Sequence, residues 1–570
     1  MDSDLKGIYG QRFDSNVNMV GAEFLINDTT TGDQQNTNGE AITTLSDGTV
    51  VVTWQSDNID GDGKAIVAKM YAVSDLLDHY VSIDPAPVVA DPYTDHQVNT
   101  FEVGTQMYSH IVALYGGGYV IVWESDSQDG DGYGVFGQLY DAFGQPEGTE
   151  FQINSNSIGV QDEISLAPIS TGGFIVTWTS TVGDGSGDTI KGQIFDSTAG
   201  LVGTEFQVNS YVTSNQRLSD ILVLDTGDFI IFWASDGQDG SWDGIYGQRY
   251  NADGTVDGLE FRVNTSTALA QTLPASAKLA DGSYVVVWQS WGQDGSDNGI
   301  FAQRYTESGV KIGGEFLVNT YTSGAQTSAE VVGLENGNYV IVWKSYDQDG
   351  NWNVYGQMYG ADDVAIGSEF RVNTVTSGDQ AHPSITALND GGFIVSYEGV
   401  DNDGMGMYGQ RYDDSGNMVG TEFLINDIEG GIQRNPKGDG ITALSDGTVV
   451  ATWQSDNIDG DGTAIVAKHL ENHIAGASGA DILAGTLGDD LFTGNGGADI
   501  FDLNYANFGN DTISDFEDGI DLIDFTDTGL IYGDLTISVV GSDTVIDDGL
   551  GNSITLLGIT SAIDQSDFIF

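Results

Sequence analysis

Cysteine is absent from the 570 residues, which excludes a disulfide framework, a thiolate metal site and a cysteine nucleophile. Basic residues are scarce, 17 against 85 acidic ones for a formal charge of −68, so phosphate backbones and anionic bilayers are repelled. Nucleic acid and direct membrane insertion are therefore excluded as partners, and a cation is implied. No apolar run approaches a membrane span, and the opening Met1-Asp-Ser-Asp-Leu-Lys-Gly7 has no basic region followed by an apolar one. There are six histidines, and His469-Leu-Glu-Asn-His473 does not put its glutamate where a His-Glu-x-x-His zinc site has it. No Gly-x-Ser-x-Gly elbow and no phosphate-cradling glycine loop with a lysine occurs. What remains possible as catalysis is carboxylate chemistry, and the expectation leans away from an enzyme.

What is present is periodic. An anchor recurs eight times, at Trp54, Trp123, Trp178, Trp233, Trp288, Trp343, Tyr397 and Trp453, with a step of 55 residues from Trp123 to Trp343. One copy runs Glu260-Phe-Arg-Val-Asn264, Ala275-Ser-Ala-Lys-Leu279, Tyr284-Val-Val-Val-Trp288 and Gly299-Ile-Phe-Ala-Gln-Arg-Tyr305, four strand candidates joined by turn signals such as Asp281-Gly282. Four antiparallel strands cannot cover their own two apolar faces. Stacking copies around a ring does so, and predicts an all-β, propeller-like fold of seven or eight four-stranded repeats, with an open array as the alternative. Copies one and eight are nearly identical: Thr53-Trp-Gln-Ser-Asp-Asn-Ile-Asp-Gly-Asp-Gly63 matches Thr452 to Gly462, and both replace the recurring Gly-Gln by Ala-Lys, ending at Lys69 and Lys468. The reading leans to one ring of eight, beside a seven-membered ring preceded by the remnant of another unit, which hints at a piece of something longer. Residues 1–72 form the first repeat, 73–95 a linker and 96–470 the repeat domain.

Within the repeats, the tryptophans read as core between blades. The glutamines Gln106, Gln161, Gln216, Gln271, Gln326 and Gln380, with Gln138, Gln193, Gln248 and Gln303, read as ties for loop backbone, with sugar binding the alternative. Acidic loops follow the anchors, at Asp57, Asp60 and Asp62, at Asp126, Asp129 and Asp131, and at Asp456, Asp459 and Asp461. They are candidate calcium loops or solvated hairpin tips, since they lack a fixed bidentate glutamate.

Past the repeats, three nine-residue units begin at Gly476, Gly485 and Gly494, placing Asp481, Asp490 and Asp499 in phase. Each joins a glycine turn (Gly476 and Gly479; Gly485 and Gly488; Gly494, Gly496 and Gly497) to a short apolar strand, with Ile482, Leu491, Ile500 and in part Leu483 expected inward. Stacked turns gather carboxylates and carbonyls into an all-oxygen cage, which suits Ca2+. This segment resembles the RTX, or haemolysin-type calcium-binding, family, although Ala477 and Thr486 replace the second glycine of its motif. Downstream, Gly509-Asn-Asp511-Thr-Ile513-Ser-Asp515-Phe516 and Gly519-Ile-Asp521-Leu-Ile523-Asp524-Phe525 resemble the tail of serralysin-type proteins.

The resemblance implies a parallel β-roll over 476–505, a C-terminal secretion domain over 506–570, type I export and an extracellular or bacterial cell-surface location. Calcium ligands would come from the glycines and aspartates of the three units, with Asp511. The functional expectation is a calcium-stabilised adhesin, matrix or surface scaffold, free to self-assemble or to bind a surface protein. A glycan-binding module, or a secreted glycan hydrolase or lyase, is the alternative.

Overall fold

The computed structural model describes residues 95–570 except 347, 349, 401–403, 428–430, 437, 446, 457, 459–461, 471, 476–478, 486–489, 504–507, 527 and 561–562. Of 472, 473, 475 and 484 it describes the backbone, as it does for six strands within 1–94. The chain divides into Met1–Val89 and Ala90–Phe570. In the first unit Tyr9–Phe13 pairs with Met19–Leu25, and Val50–Asp57 pairs with Gln34–Asn36, Ile42–Thr44 and Lys64–Tyr71.

The second unit contains a seven-bladed β-propeller. Six blades are antiparallel four-stranded sheets built in chain order, starting with Gln106–Ala113, Tyr119–Asp126, Tyr133–Tyr140 and Pro146–Gln152 and ending with Gln380–Ala387, Phe393–Val400, Met405–Tyr412 and Met418–Leu424. The first strand of each blade lies next to the first strands of its neighbours around the axis, while the fourth lies at the rim with its leading residues exposed. The sequence copy that starts at Glu260 is thus offset from the blade by one strand: Val256–Arg262 closes blade three, and Gln271–Lys278 opens blade four.

That offset decides the blade count. Blade seven is built from Gln433–Arg434, Ile441–Ala443, Val449–Asp456 and Thr463–Leu470, and its outer place is taken by His96–Gln97 from the start of the unit. The Val98 N–H donates to the Ile465 carbonyl at 2.8 Å and the Ile111 N–H to the Asp439 carbonyl at 2.8 Å, so the seventh blade is joined to the first. A ring of eight, the reading favoured from the repeat count, is replaced by seven, because residues 96–97 fill the outer edge that an eighth copy would need. The copy around Trp54 belongs to the other unit.

The anchors behave as inter-blade core. Trp123, Trp233, Trp288, Trp343, Tyr397 and Trp453 are fully buried, each inside a cluster that joins two neighbouring blades. The glutamines act as ties: the Gln271 amide donates to the Ala268 carbonyl at 2.9 Å and accepts from Asn264 at 2.9 Å. Asn264 in turn accepts from the Ile245 N–H of the preceding blade at 2.8 Å. The same link recurs at Asn99, Asn154, Asn209 and Asn319, so a buried, hydrogen-bonded polar line stitches these blades together.

The C-terminal strands stack as two parallel ladders. One joins Asn472–Ala475, Asp490–Thr493, Asn510–Ile513 and Ser553–Leu556, and the other joins Ile482–Ala484, Ile500–Asp502, Leu522–Asp524 and Phe568–Ile569. One core from Leu483 to Phe568 lies between them. The inward apolar residues of the short strands are Leu483, Phe492, Phe501, Ile513 and Ile523, rather than Ile482, which is 70% exposed, or the half-buried Leu491 and Ile500. Alternation by two along so short a strand makes a one-residue error in phase reverse every side chain.

Candidate functional site

The repeat separates scaffold from site, since positions that must do the same job in every blade carry the same residue, and those that vary are free to do chemistry. Every first strand of blades one to six opens on glutamine, then bulges: the residue two further on takes a left-handed conformation, at Tyr108, Glu163, Leu218, Leu273, Ser328 and His382, with φ between 47° and 58°. None is glycine. These six left-handed residues stand together at one end of the central channel, where the repeated bulge turns each first strand.

These six residues line one cavity of about 330 Å³, together with His110, Glu124, Asp162, Ser219, Glu330 and Gly438. Blade two is unusual in giving two adjacent carboxylates, Asp162 and Glu163. Successive residues of a regular strand face opposite sides, and the bulge between Asp162 and Ser165 turns both to the cavity. The Oε2 of Glu163 accepts from the Thr179 hydroxyl at 2.9 Å and from the Leu218 N–H at 3.1 Å, while the Glu163 N–H donates to Glu124 at 2.7 Å. Burial, then the charges of Glu163 and Asp188, push the Asp162 carboxyl up to about 7. It therefore holds its proton close to neutral pH.

Further along the first strands the varying residues are His110, Ser165, Asp220, Ala275, Glu330 and Ser384. Asp220 is pushed up to about 8 by burial and by Asp439, against the opposing hydrogen bond from Ser276. Glu330 is raised well above the usual carboxylate range by burial, Asp439 and Asp220. Asp439 reaches this level because blade seven breaks its first strand between Arg434 and Ile441, and its carboxylate lies 3.7 Å from His110 Nδ1. On the blade-six wall, His382 Nδ1 is 2.8 Å from Glu398 Oε1, and His382 Nε2 is 3.3 Å from Lys344 Nζ. The cavity thus joins a proton-bearing acid, a fixed carboxylate beside it and an imidazole in a mostly acidic wall.

The residues singled out from the sequence lie elsewhere. Asp126 accepts from the adjacent Ser127 hydroxyl at 2.8 Å, while Asp129 accepts from Asn154 at 3.1 Å and Asp131 from the Gly159 N–H at 3.1 Å, so the last two bind loop to loop. Asp456 ends the second strand of blade seven, and Asp57 ends a strand of the first unit. Asp60, Asp62, Asp459, Asp461, Gly476 and Gly488 fall outside the described residues. In the ladders, Asp499 accepts from the Asp481 N–H at 2.9 Å, Asp511 from the Asp490 N–H at 2.9 Å, and Asp521 from the Asp499 N–H at 2.9 Å. Gly494 donates to Asp515 at 2.8 Å, Gly485 to the Asp502 carbonyl at 2.9 Å, and Gly479 is exposed. Gly496 and Gly497 both have positive φ, and a Cβ on Gly497 would lie 2.4 Å from the Gly479 carbonyl oxygen, so stacking of these turns requires glycine there. Among the described residues no three His, Asp or Glu side chains converge as a metal cage.

The cavity residues were not singled out by sequence. Their signal was there as broken symmetry: at the third position of the first strand, where a scaffold residue would repeat, the chain has Tyr, Glu, Leu, Leu, Ser and His.

Fold and site together define a seven-bladed β-propeller with a carboxylate-lined cavity at one mouth of its channel. No family model and no curated protein matches the chain. Solved structures that are similar include a protein of unknown function from Dyadobacter fermentans, at 9% identity over 66% of this chain and 98% of that one, with a TM-score of 0.40. An α-L-arabinofuranosidase of Fusarium graminearum matches at 13% identity over 59% of this chain and 98% of its own, TM-score 0.41. A PL25 ulvan lyase matches at 9% identity over 66% and 94%, TM-score 0.42. Similarity of this degree brings no activity with it, and the reading of function rests on the cavity.

Proposed function

We propose that the propeller binds and cleaves a neutral extracellular glycan at the mouth cavity. The observation that carries this is the pair on blade two: Asp162, which keeps its proton near pH 7, beside Glu163, fixed by Thr179 and Leu218. Acid-assisted glycoside hydrolysis requires two carboxyl groups, one that protonates the leaving oxygen and one that takes a proton from the water adding to the sugar carbon. A net acidic wall disfavours uronate or sulfated chains, which sets the substrate class as neutral. The names of the matched glycan-acting proteins agree with this reading without supporting it.

Calcium enters as the companion proposal, with export by a type I system and an extracellular habitat, all from the RTX resemblance. The C-terminal ladders suit a cation at one point: Asp499 is 1% exposed, and its Oδ2 has no hydrogen-bond partner while Oδ1 takes the Asp481 N–H. Asp499, with carbonyls of the glycine turns, would hold an ion at that point, and Asp481, Asp490 and Asp511 would ligate at their own turns rather than in one shared cage; the ion would supply charge neutralisation between stacked turns. The adhesin or scaffold reading keeps an observation of its own, the apolar residues exposed on outer strands at Leu201, Val256 and Leu259.

The test is release of reducing sugar from a panel of neutral polysaccharides by the full chain in millimolar calcium. Turnover that falls about 10²- to 10⁴-fold in Asp162→Asn, with binding retained, is the expected result. Saturable binding without turnover makes the domain a binding module. Neither, with calcium-driven self-association, returns the scaffold.

A further inference from the structure

Resting on the glycan reading, the geometry points to a second sugar subsite outside the cavity, formed by Tyr346 and Trp352 of blade five and taking the apolar face of a pyranose or furanose ring in a neutral oligosaccharide.

A cavity of about 330 Å³ is at the small end of ligand pockets, which span about 300–1,000 Å³, so a chain bound there must continue over the surface. A continuous row of contacts leads out of it. His382, on the wall, is 3.3 Å from Lys344 Nζ, and that ammonium lies 5.1 Å from the centre of the Trp352 ring. The Trp352 and Tyr346 rings are 5.1 Å apart and inclined at 48°. The Trp352 N–H is pinned to Asp379 at 3.2 Å, which fixes the start of its strand against the loop into blade six.

The pair departs from the repeat as the cavity residues do. At the tip where the second and third strands of each blade meet, the facing residues are Asp126 and Tyr133, Ser180 and Thr189, Asp236 and Asp243, Trp291 and Asn298, Tyr346 and Trp352, Val400 and Met405, and Asp456 and Thr463. Blade five alone is aromatic on both strands. These tips lie at the same end of the blades as the bulges, because Gln326 at the start of the first strand pairs with Ser345, next to Tyr346. Tyr346 is 45% exposed, so its ring does no core work. Flat rings with polar edges, in an acidic neighbourhood that repels anions, suit the C–H face and hydroxyl rim of an uncharged sugar.

The test measures affinity of the full chain, in millimolar calcium, for cello-, xylo- and arabino-oligosaccharides from disaccharide to octasaccharide, by calorimetry. The variants are Tyr346→Ala/Trp352→Ala, Trp352→Phe, and Trp291→Ala as an exposed tryptophan outside the row. The expected result is a loss of about tenfold or more for the longest ligands in the double variant, with disaccharide affinity unchanged, recovery in Trp352→Phe and no effect of Trp291→Ala. An equal loss at every length, or none, overturns the subsite while leaving the cavity reading intact. Absence of binding by the unaltered chain to every probe overturns the glycan reading and the subsite with it.

Discussion

Replacing Asn99 by alanine tests how the ring is closed. Its Oδ1 accepts the Ile465 N–H at 2.7 Å, and its Nδ2 donates to the Phe101 carbonyl at 2.9 Å and to Gln106 Oε1 at 3.2 Å, all at 3% exposure. Truncation orphans a buried N–H and the acceptors beside it, at about 1–3 kcal/mol for each group that water cannot reach, so about 2–4 kcal/mol after relaxation. Asn264→Ala removes the matching bonds to Ile245, Ser266 and Gln271 and is the natural comparison. The two differ in what they span: Asn264 reaches 19 residues back, whereas Asn99 reaches Ile465 across 366. Loop closure over the longer span costs about 2–3 kcal/mol more, so the seventh blade's outer edge is the first part of the ring to open. The expected outcome is a similar drop in urea midpoint for both variants, with faster amide exchange across Thr463–Leu470 in Asn99→Ala only. An unchanged midpoint in Asn99→Ala, or equal exposure of that strand in Asn264→Ala, would refute the closure argument.

Asp220 titrates in the folded chain near 8 and in the unfolded chain near its ordinary 3.8, so the folded state holds the extra proton between those values. The contribution of Asp220 to stability should therefore be level below about pH 4 and fall as pH rises towards 8, Glu330 acting in the same direction; Asp220→Asn should flatten the slope of melting temperature against pH between those values, and an unaltered slope counts against it. Activity at the mouth cavity should decline above about pH 7 as Asp162 loses its proton, and an activity that rises through that range removes it from the role of acid. Chelation of calcium should make the segment beyond residue 475 protease-sensitive and reduce its circular dichroism, while unchanged resistance defeats the calcium proposal. Phe501→Ala, in the core between the ladders at full burial, should cost about 3–5 kcal/mol in that segment, checked by its own melting transition.

Legibility in the sequence followed from periodicity. The anchors at Trp123 to Trp343 and the glutamines before them were readable as core and as loop ties because each blade poses the same packing problem and receives the same solution. The inward phase of the C-terminal strands was missed by one residue, since Ile482 and Leu483 are equally apolar and three-residue strands give too few alternations to choose between them. The mouth cavity was missed for a different reason. Asp162, Glu163, Asp220, Glu330, His382 and Lys344 are unremarkable polar residues in an acidic chain until six first strands converge on one axis.

The chain alone dictated an all-β repeat with buried aromatic anchors, Asp-Gly hairpins and tied loops, because those depend on neighbours within one repeat length. Blade number and site needed the fold. Seven rather than eight followed from two residues, His96 and Gln97, meeting a strand some 370 positions away, a pairing that no local pattern encodes. The acid of Asp162 likewise exists only where the fold buries it: the charges of Glu163 and Asp188 come from its own blade, but the burial that makes losing its proton costly needs the tertiary structure.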